Sequence, residues 1–269
     1  MTRERPLAAR RAAIDARIDA ALESATANSL ALARTTMEEA GWFGPLLACS
    51  YDSVADGSAA DGADAEGALL AAAAIELLAG YCRLRGELLV QLDDGVAHSL
   101  NRDPPSALLA ADFLYTSAYS TLASIDHARI GACFDAFTDA SLSIVGAFDA
   151  GGAGAEPSRT DRRPSIEGTA GALGETAATV GAALAGVERD RRDRFATLGR
   201  GFSTARRVRL ALDSDVWPAH VGRPDLDDRR FVRSADRSRA EAERALSRLP
   251  SPADAGPLEA LVDDALPPV

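Results

Sequence analysis

The chain has 269 residues, 47% of them hydrophobic but only 5% aromatic, so its apolar weight rests on Ala and Leu, strong helix formers, which argues against an all-β fold. Forty acidic against 29 basic residues give a formal charge of -11, which opposes broad contact with nucleic-acid phosphates or an anionic membrane face. Every base is Arg and none is Lys, a composition that with the acidic surface fits a halophilic source or a high-GC genome.

The N-terminal segment MTRERPLAARRAAIDARIDAALES is charged throughout, without the apolar core of a signal peptide, and reads as mature protein. From about Leu7 to Ala40 spaced apolar positions such as Ile14, Ile18 and Leu22 predict an amphipathic helix. The acidic, Gly-rich stretch from Ser53 to Gly67 has nothing to bury and reads as a flexible loop. ALLAAAAIELLAGYC, Ala68 to Cys82, is the most apolar run; it contains Glu76 and is followed by Arg83 and Arg85. It is short for a bilayer span and predicts a core helix reaching about Leu92.

NRDPP, Asn101 to Pro105, is a break, because prolines remove donors and restrict the residue before them. Helices follow at about Ser106–Ser124 and Ile130–Phe148. Asp149 to Pro164 reads as a mobile linker, with helices resuming at about Ser165–Ala185 and Glu188–Leu212. A short charged helix at about Ser234–Leu246 precedes a Pro-rich, loosely ordered tail over 248–269. No strand pattern competes. Neither half alone shows a complete set of amphipathic faces, so the reading is one all-α domain over 1–269.

Cys49, Cys82 and Cys133 are an odd number without a CxxC spacing or a nearby His, which suits reduced core thiols in a cytoplasmic protein. His98, His127 and His220 are scattered without zinc-ligand spacing. No GxSxG or phosphate-binding Gly-rich loop follows a strand; the GGAGAE at Gly151 is linker composition.

The order of segments carries more than any one motif. AAAIELLAGYCRLRGELL, Ala72 to Leu89, resembles the AAAVELLHTASLIHDDIID helix of the trans-isoprenyl diphosphate synthases, the polyprenyl synthetase family. ALLAADFLYTSAYSTLA, Ala107 to Ala123, resembles that family's AILAGDALLARAFELLA, with Asp112 at the Asp of its GD pair. IEGTAGALGETAATVGAALAG, Ile166 to Gly186, is similar to the helix bearing KTA, with Thr169 and Ala170 in place. FATLGRGFSTARRVRLAL is similar to FGxxLGLAFQIRDDLLD, with Gly199, Gly201 and Phe202 in place. The resemblance implies an isoprenoid-synthase-like bundle of roughly ten helices round a cavity. There, two Asp-rich motifs hold magnesium ions that grip an allylic diphosphate and stabilise the departing charge.

At those positions this chain departs from the family. The first Asp-rich motif falls on Gly86, Glu87, Leu88, Leu89 and Val90, leaving one carboxylate. The second falls on Arg206, Arg207, Val208, Arg209 and Leu210, where the charge is inverted. An Arg roughly 4 Å from a divalent ion costs about 8 kcal/mol at an effective dielectric of ~20. The Gly-Lys-x-x-Arg-Pro element falls on Gly41-Trp42-Phe43-Gly44-Pro45 without its basic residues, and the KTA lysine falls on Gly168. The RRGxPT element is reduced to Arg102-Asp103-Pro104-Pro105-Ser106. No cofactor is expected, since the magnesium ligands implied by the resemblance are missing, and no residue is assigned to catalysis or to a metal.

Arg83, Arg85, Arg206, Arg207 and Arg209 are candidate ligands for a diphosphate bound directly, because a guanidinium fork matches phosphate oxygens. The other reading of the same arginines is pairing with Glu87 and Asp94 across the old cavity, or a solvated face. The small Gly199–Gly201 turn before them reads as flexible. Asp93, Asp94 and Asp112 are the remaining acidic candidates; Glu87, Gln91 and Asp94 share a helix face, but carboxylates ~10 Å apart do not chelate one ion.

The expected function is that of a cytoplasmic, catalytically degenerate polyprenyl-synthetase-like protein. It would serve as a non-catalytic partner or modulator of an active prenyl diphosphate synthase, through a homodimer or heterodimer, or bind a prenyl chain. The alternatives are an active prenyltransferase with atypical ligands, drawing on Glu87, Asp93, Asp94 and Asp112, and an unrelated helical interaction bundle. Nucleic acid and a membrane span are not expected.

Overall fold

A computed structural model describes residues 7–23, 31–37, 41–55, 62–93, 103–152, 166–213, 229–249 and 253–266. All regular elements among them are helical. The helices are α1 (Leu7–Leu22), α2 (Ala31–Met37), α3 (Phe43–Asp52), α4 (Ala63–Asp93), α5 (Pro104–Ala123) and α6 (Ile130–Gly152). They continue with α7 (Ala172–Leu184), α8 (Asp193–Asp213), α9 (Arg229–Leu246) and α10 (Gly256–Ala265). The all-α expectation holds.

The apolar run becomes the axis of the bundle. Ala71 to Ile75, Leu77 and Leu78 are wholly buried, and α4 packs against α1, α2, α3, α5, α6 and α7. Its alanines let neighbours approach closely, and Asp64 and Glu66 in its first turn favour the positive end of the helix dipole. One hydrophobic cluster runs from Ile14 on α1 to Leu266 after α10. Both α4 (Ala63–Leu89) and α6 (Ile130–Asp149) are long and apolar enough to cross a membrane, but 78% of the α4 window is buried inside the bundle and only 22% of the α6 window.

Several boundaries differ from the sequence expectation, each for a local reason. Within the span Leu7–Ala40 expected as a single helix, two helices are described, α1 and α2; residues 24–30 and 38–40 lie outside the described residues. Helix α4 starts at Ala63, inside the stretch read as loop; residues 56–61 lie outside the described residues. The Pro104–Pro105 break is itself a helix start: Asp103 accepts from the Ser106 N–H at 3.1 Å, and the prolines occupy first-turn positions where no donor is needed. Helix α6 extends to Gly152, into the expected linker, the rest of which lies outside the described residues.

Before α7 the chain makes a π-turn, Glu167–Gly171, and before α8 a 3-10 turn, Arg189–Arg191. Gly186, at φ +99, closes α7 while the Val187 N–H returns to the Ala182 carbonyl at 2.9 Å. The tail is not loose over its whole length. Pro257 opens α10, whose Leu258 and Leu261 are fully buried against the bundle beside α3, and the Asp254 N–H bonds the Ser53 carbonyl at 2.6 Å. Arg11 on α1 holds Asp264 at 2.9 Å.

Candidate functional site: an arginine cluster between α4 and α8

The site begins with Glu76, the one carboxylate of the apolar run, which is 2% exposed. Its carboxylate accepts from the Gly44 N–H at 2.7 Å and the Gly41 N–H at 3.3 Å, capping the start of α3 from α4. Burial raises its pKa above the ordinary value, and the two N–H donors, with Arg83 and Arg206 nearby, pull it back. The same turn presents Trp42, whose Nε1–H donates to Ser203 Oγ on α8 at 2.7 Å. The Arg206 guanidinium lies over that indole, 5.1 Å from its centroid. Arg206 therefore sits between an aromatic face and the field of a buried carboxylate, and burial lowers its pKa.

Arg207, one residue on, is drawn down to about 10 by burial, against the favourable fields of Cys82 and Glu87 on α4. It stays charged at neutral pH. Arg83 completes the cluster, donating through Nη1 to the Thr36 carbonyl at the end of α2, 2.8 Å away. Cys82 is buried beside Arg207, and its thiol is pushed up to about 12 by burial. The site thus ties α2, α3, α4 and α8 together through guanidinium contacts with a backbone carbonyl and an indole, in the fields of two carboxylates.

The structure separates candidates that the sequence grouped. Arg83 and Arg85 are two residues apart on a helix, hence roughly 200° round the axis, and only Arg83 faces the cluster. Arg85 and Asp112 instead act on Tyr81, on the side where α4 packs against α5, and Asp112 is exposed. Gly86 is buried, Glu87 and Arg209 are half-buried. For Val90 and Asp93 the helical backbone alone is described, and Asp94, His98 and His220 lie outside the described residues. His127 accepts from the Arg129 N–H through Nδ1.

The Gly199–Gly201 segment is not a flexible turn but a pair of packing notches in α8. A Cβ on Gly199 would strike the Gly174 carbonyl of α7, and one on Gly201 the Ser238 carbonyl of α9. Sequence reasoning gave Glu76 and Trp42 no role. The signal for Glu76 was visible, a lone carboxylate in fifteen apolar residues; for Trp42 there was none, since its partners are far along the chain.

The described donors do not fit a magnesium cluster. Among the described residues no group of three or more His, Cys, Asp or Glu side chains could hold a metal ion, and the carboxylate at the first motif, Glu87, lies in the field of Arg207. Away from the arginine cluster, a polar groove of about 480 Å³ opens between the π-turn, α8 and α9, crossed by the Arg200–Glu175 ion pair.

Among the described residues ten α-helices are arranged round a buried central α4, an all-α architecture shared with solved prenyl synthases. The geranylgeranyl pyrophosphate synthetase from the archaeon Geoglobus acetivorans matches over 97% of each chain, with a TM-score of 0.72 and 16% identity. A geranyltranstransferase from Methanosarcina mazei matches over 95% of this chain and 96% of its own, at 0.69 and 15%. The geranyl diphosphate synthase small subunit from Antirrhinum majus matches over 96% and 98%, at 0.62 and 17%. No family model matches the sequence, and no curated protein does. The fold is shared with these synthases.

Proposed function

We propose that this chain is a catalytically degenerate protein of the prenyl diphosphate synthase fold that acts as a non-catalytic partner of an active synthase. The observation that carries the reading is Arg206 stacked on Trp42 in the field of Glu76, with Arg207 buried beside it, at the positions where the resemblance puts the second Asp-rich motif. A cation placed opposite α4 opposes divalent ions rather than gathering them, and the ionisation of an allylic diphosphate then has nothing to stabilise the leaving charge. That a small subunit of a geranyl diphosphate synthase has this same fold supports a role beside an unlike chain.

The test has two arms. Purified protein incubated with magnesium, isopentenyl diphosphate and an allylic diphosphate is expected to form no prenyl product. Added to an active prenyl diphosphate synthase from the same source, it is expected to change that enzyme's rate or product chain length. Product made by this chain alone, and abolished by Glu87→Ala, would favour an active prenyltransferase instead and overturn the proposal.

A further inference from the structure

The polar groove beside the π-turn is built from two matching helix faces. On α8, Thr197, Arg200, Gly201 and Thr204 follow at i, i+3, i+4 and i+7, and on α9 Ser234, Arg237, Ser238 and Glu241 repeat that spacing. Gly201 lets the two helices touch, since a Cβ there would strike the Ser238 carbonyl. Glu167 on the π-turn and Glu175 on α7 supply the third wall. The enclosed space of about 480 Å³ falls within the range of small-molecule sites, and π-turns in helical walls recur at functional sites.

Three groups in this groove lack the partners their chemistry calls for. Thr204 is 5% exposed, yet its Oγ1, enclosed beside Gly171 of the π-turn, makes no hydrogen bond. A buried hydroxyl left unpaired costs stability that a ligand recovers, and a turn about χ1, between the two rotamers Thr adopts in a helix, presents it to the groove. Arg237 and Glu241 are exposed and form no ion pair or hydrogen bond among the described residues, whereas Arg200 is already held by Glu175. Being one turn apart on one face, Arg237 and Glu241 open a guanidinium and a carboxylate side by side onto the groove.

The charges of the lining decide what fits. A diphosphate would meet the carboxylates of Glu167, Glu175 and Glu241, and a divalent cation the guanidiniums of Arg200 and Arg237. No set of three metal-ligating side chains exists among the described residues. A molecule carrying both signs is answered at each end: Arg237 grips a carboxylate with its fork, Glu241 takes an ammonium, and the hydroxyls of Thr204, Ser234 and Ser238 bond what lies between. Ala196 is the one apolar side chain among the described lining residues, so the ligand's own side chain is polar. We infer that the groove between α8 and α9 binds a small zwitterion, a free α-amino acid with a polar side chain. The inference stands apart from the partner reading and from the arginine cluster.

The test titrates the purified full chain with each of the common L-amino acids, using thermal unfolding as the screen and calorimetry for affinity. At least one amino acid with a polar side chain is expected to raise the unfolding midpoint by a few degrees at about ten times its Kd. Its N-acetyl and amide forms, each lacking one charge, are expected to bind at least about 10-fold more weakly. Arg237→Gln and Glu241→Gln are each expected to weaken binding by a similar factor; the first should erase discrimination against the amide form, and the second discrimination against the N-acetyl form. Thr204→Val is expected to weaken binding several-fold while leaving the unliganded protein as stable as the parent, because no existing bond is lost. No amino acid bound at about 10 mM, or binding that both charge variants leave intact, would overturn the inference. So would a Thr204→Val protein destabilised without ligand, or uptake of inorganic pyrophosphate or magnesium that Arg237→Gln or Glu241→Gln abolishes.

Discussion

Glu76→Ala tests whether one buried carboxylate holds the site together. Its loss leaves the Gly44 N–H, now 2.7 Å from a carboxylate oxygen, and the Gly41 N–H, at 3.3 Å, without acceptors at the start of α3. It also removes the carboxylate field that favours the charge of Arg206 over Trp42. An orphaned buried donor costs about 1–3 kcal/mol, and breaking a buried charged contact from one side about 3–5 kcal/mol. Relief of the carboxylate's own desolvation offsets part of this, so about 3–4 kcal/mol is expected. With a urea m value of roughly 3 kcal/mol/M, the midpoint falls by about 1 M at unchanged m. Glu76→Gln keeps an acceptor oxygen for Gly44 and is expected within about 1 kcal/mol of the parent. An Ala variant as stable as the parent, or a Gln variant as damaged as the Ala one, would refute the capping argument.

The same residue gives a pH signature. Burial raises the folded pKa of Glu76 above the ordinary carboxylate value of 4.5, so the folded state binds this proton more tightly than the unfolded chain. Its contribution is full below about 4.5 and is lost as pH rises through the folded pKa; the stability of the parent relative to Glu76→Gln therefore increases on acidification from pH 7 and levels off below 4.5, and a flat difference would contradict it. Gly174→Ala or Gly199→Ala drives a methyl into the facing carbonyl across the α7–α8 crossing, and each is expected to cost more than about 3 kcal/mol or prevent soluble expression, whereas Gly131→Ala, with open space around it, is expected to be neutral or stabilising in thermal unfolding. Ser203→Ala removes the acceptor of the Trp42 N–H and is expected to cost about 1–2 kcal/mol, with a shift in Trp fluorescence; an unchanged spectrum and midpoint would sink that bond. All three thiols are buried, with Cys49 and Cys82 pushed up to about 12 and Cys133 to about 11, so the native protein is expected to leave Ellman's reagent unreacted at pH 8 and to release three equivalents in denaturant.

What the sequence determined is what depends on neighbours along the chain. Helical periodicity, the Ala-rich core run, the proline break and the absence of alternating strand patterns set an all-α chain, and the order of its helices points to the synthase fold. The inverted charge at Arg206 and Arg207 was legible too, because it needs only a register. The tertiary structure alone decided what those arginines touch. Trp42 and Ser203 are 161 residues apart, and Glu76 meets the α3 start 32 residues before it. No local pattern encodes such a meeting; it follows from which helix faces pack. The split of Arg83 from Arg85, the rigid notches at Gly199 and Gly201, and the docking of α10 under α3 have the same origin. Side chains one or two residues apart enter different environments because a helix turns 100° per residue, and only packing decides which environment is which.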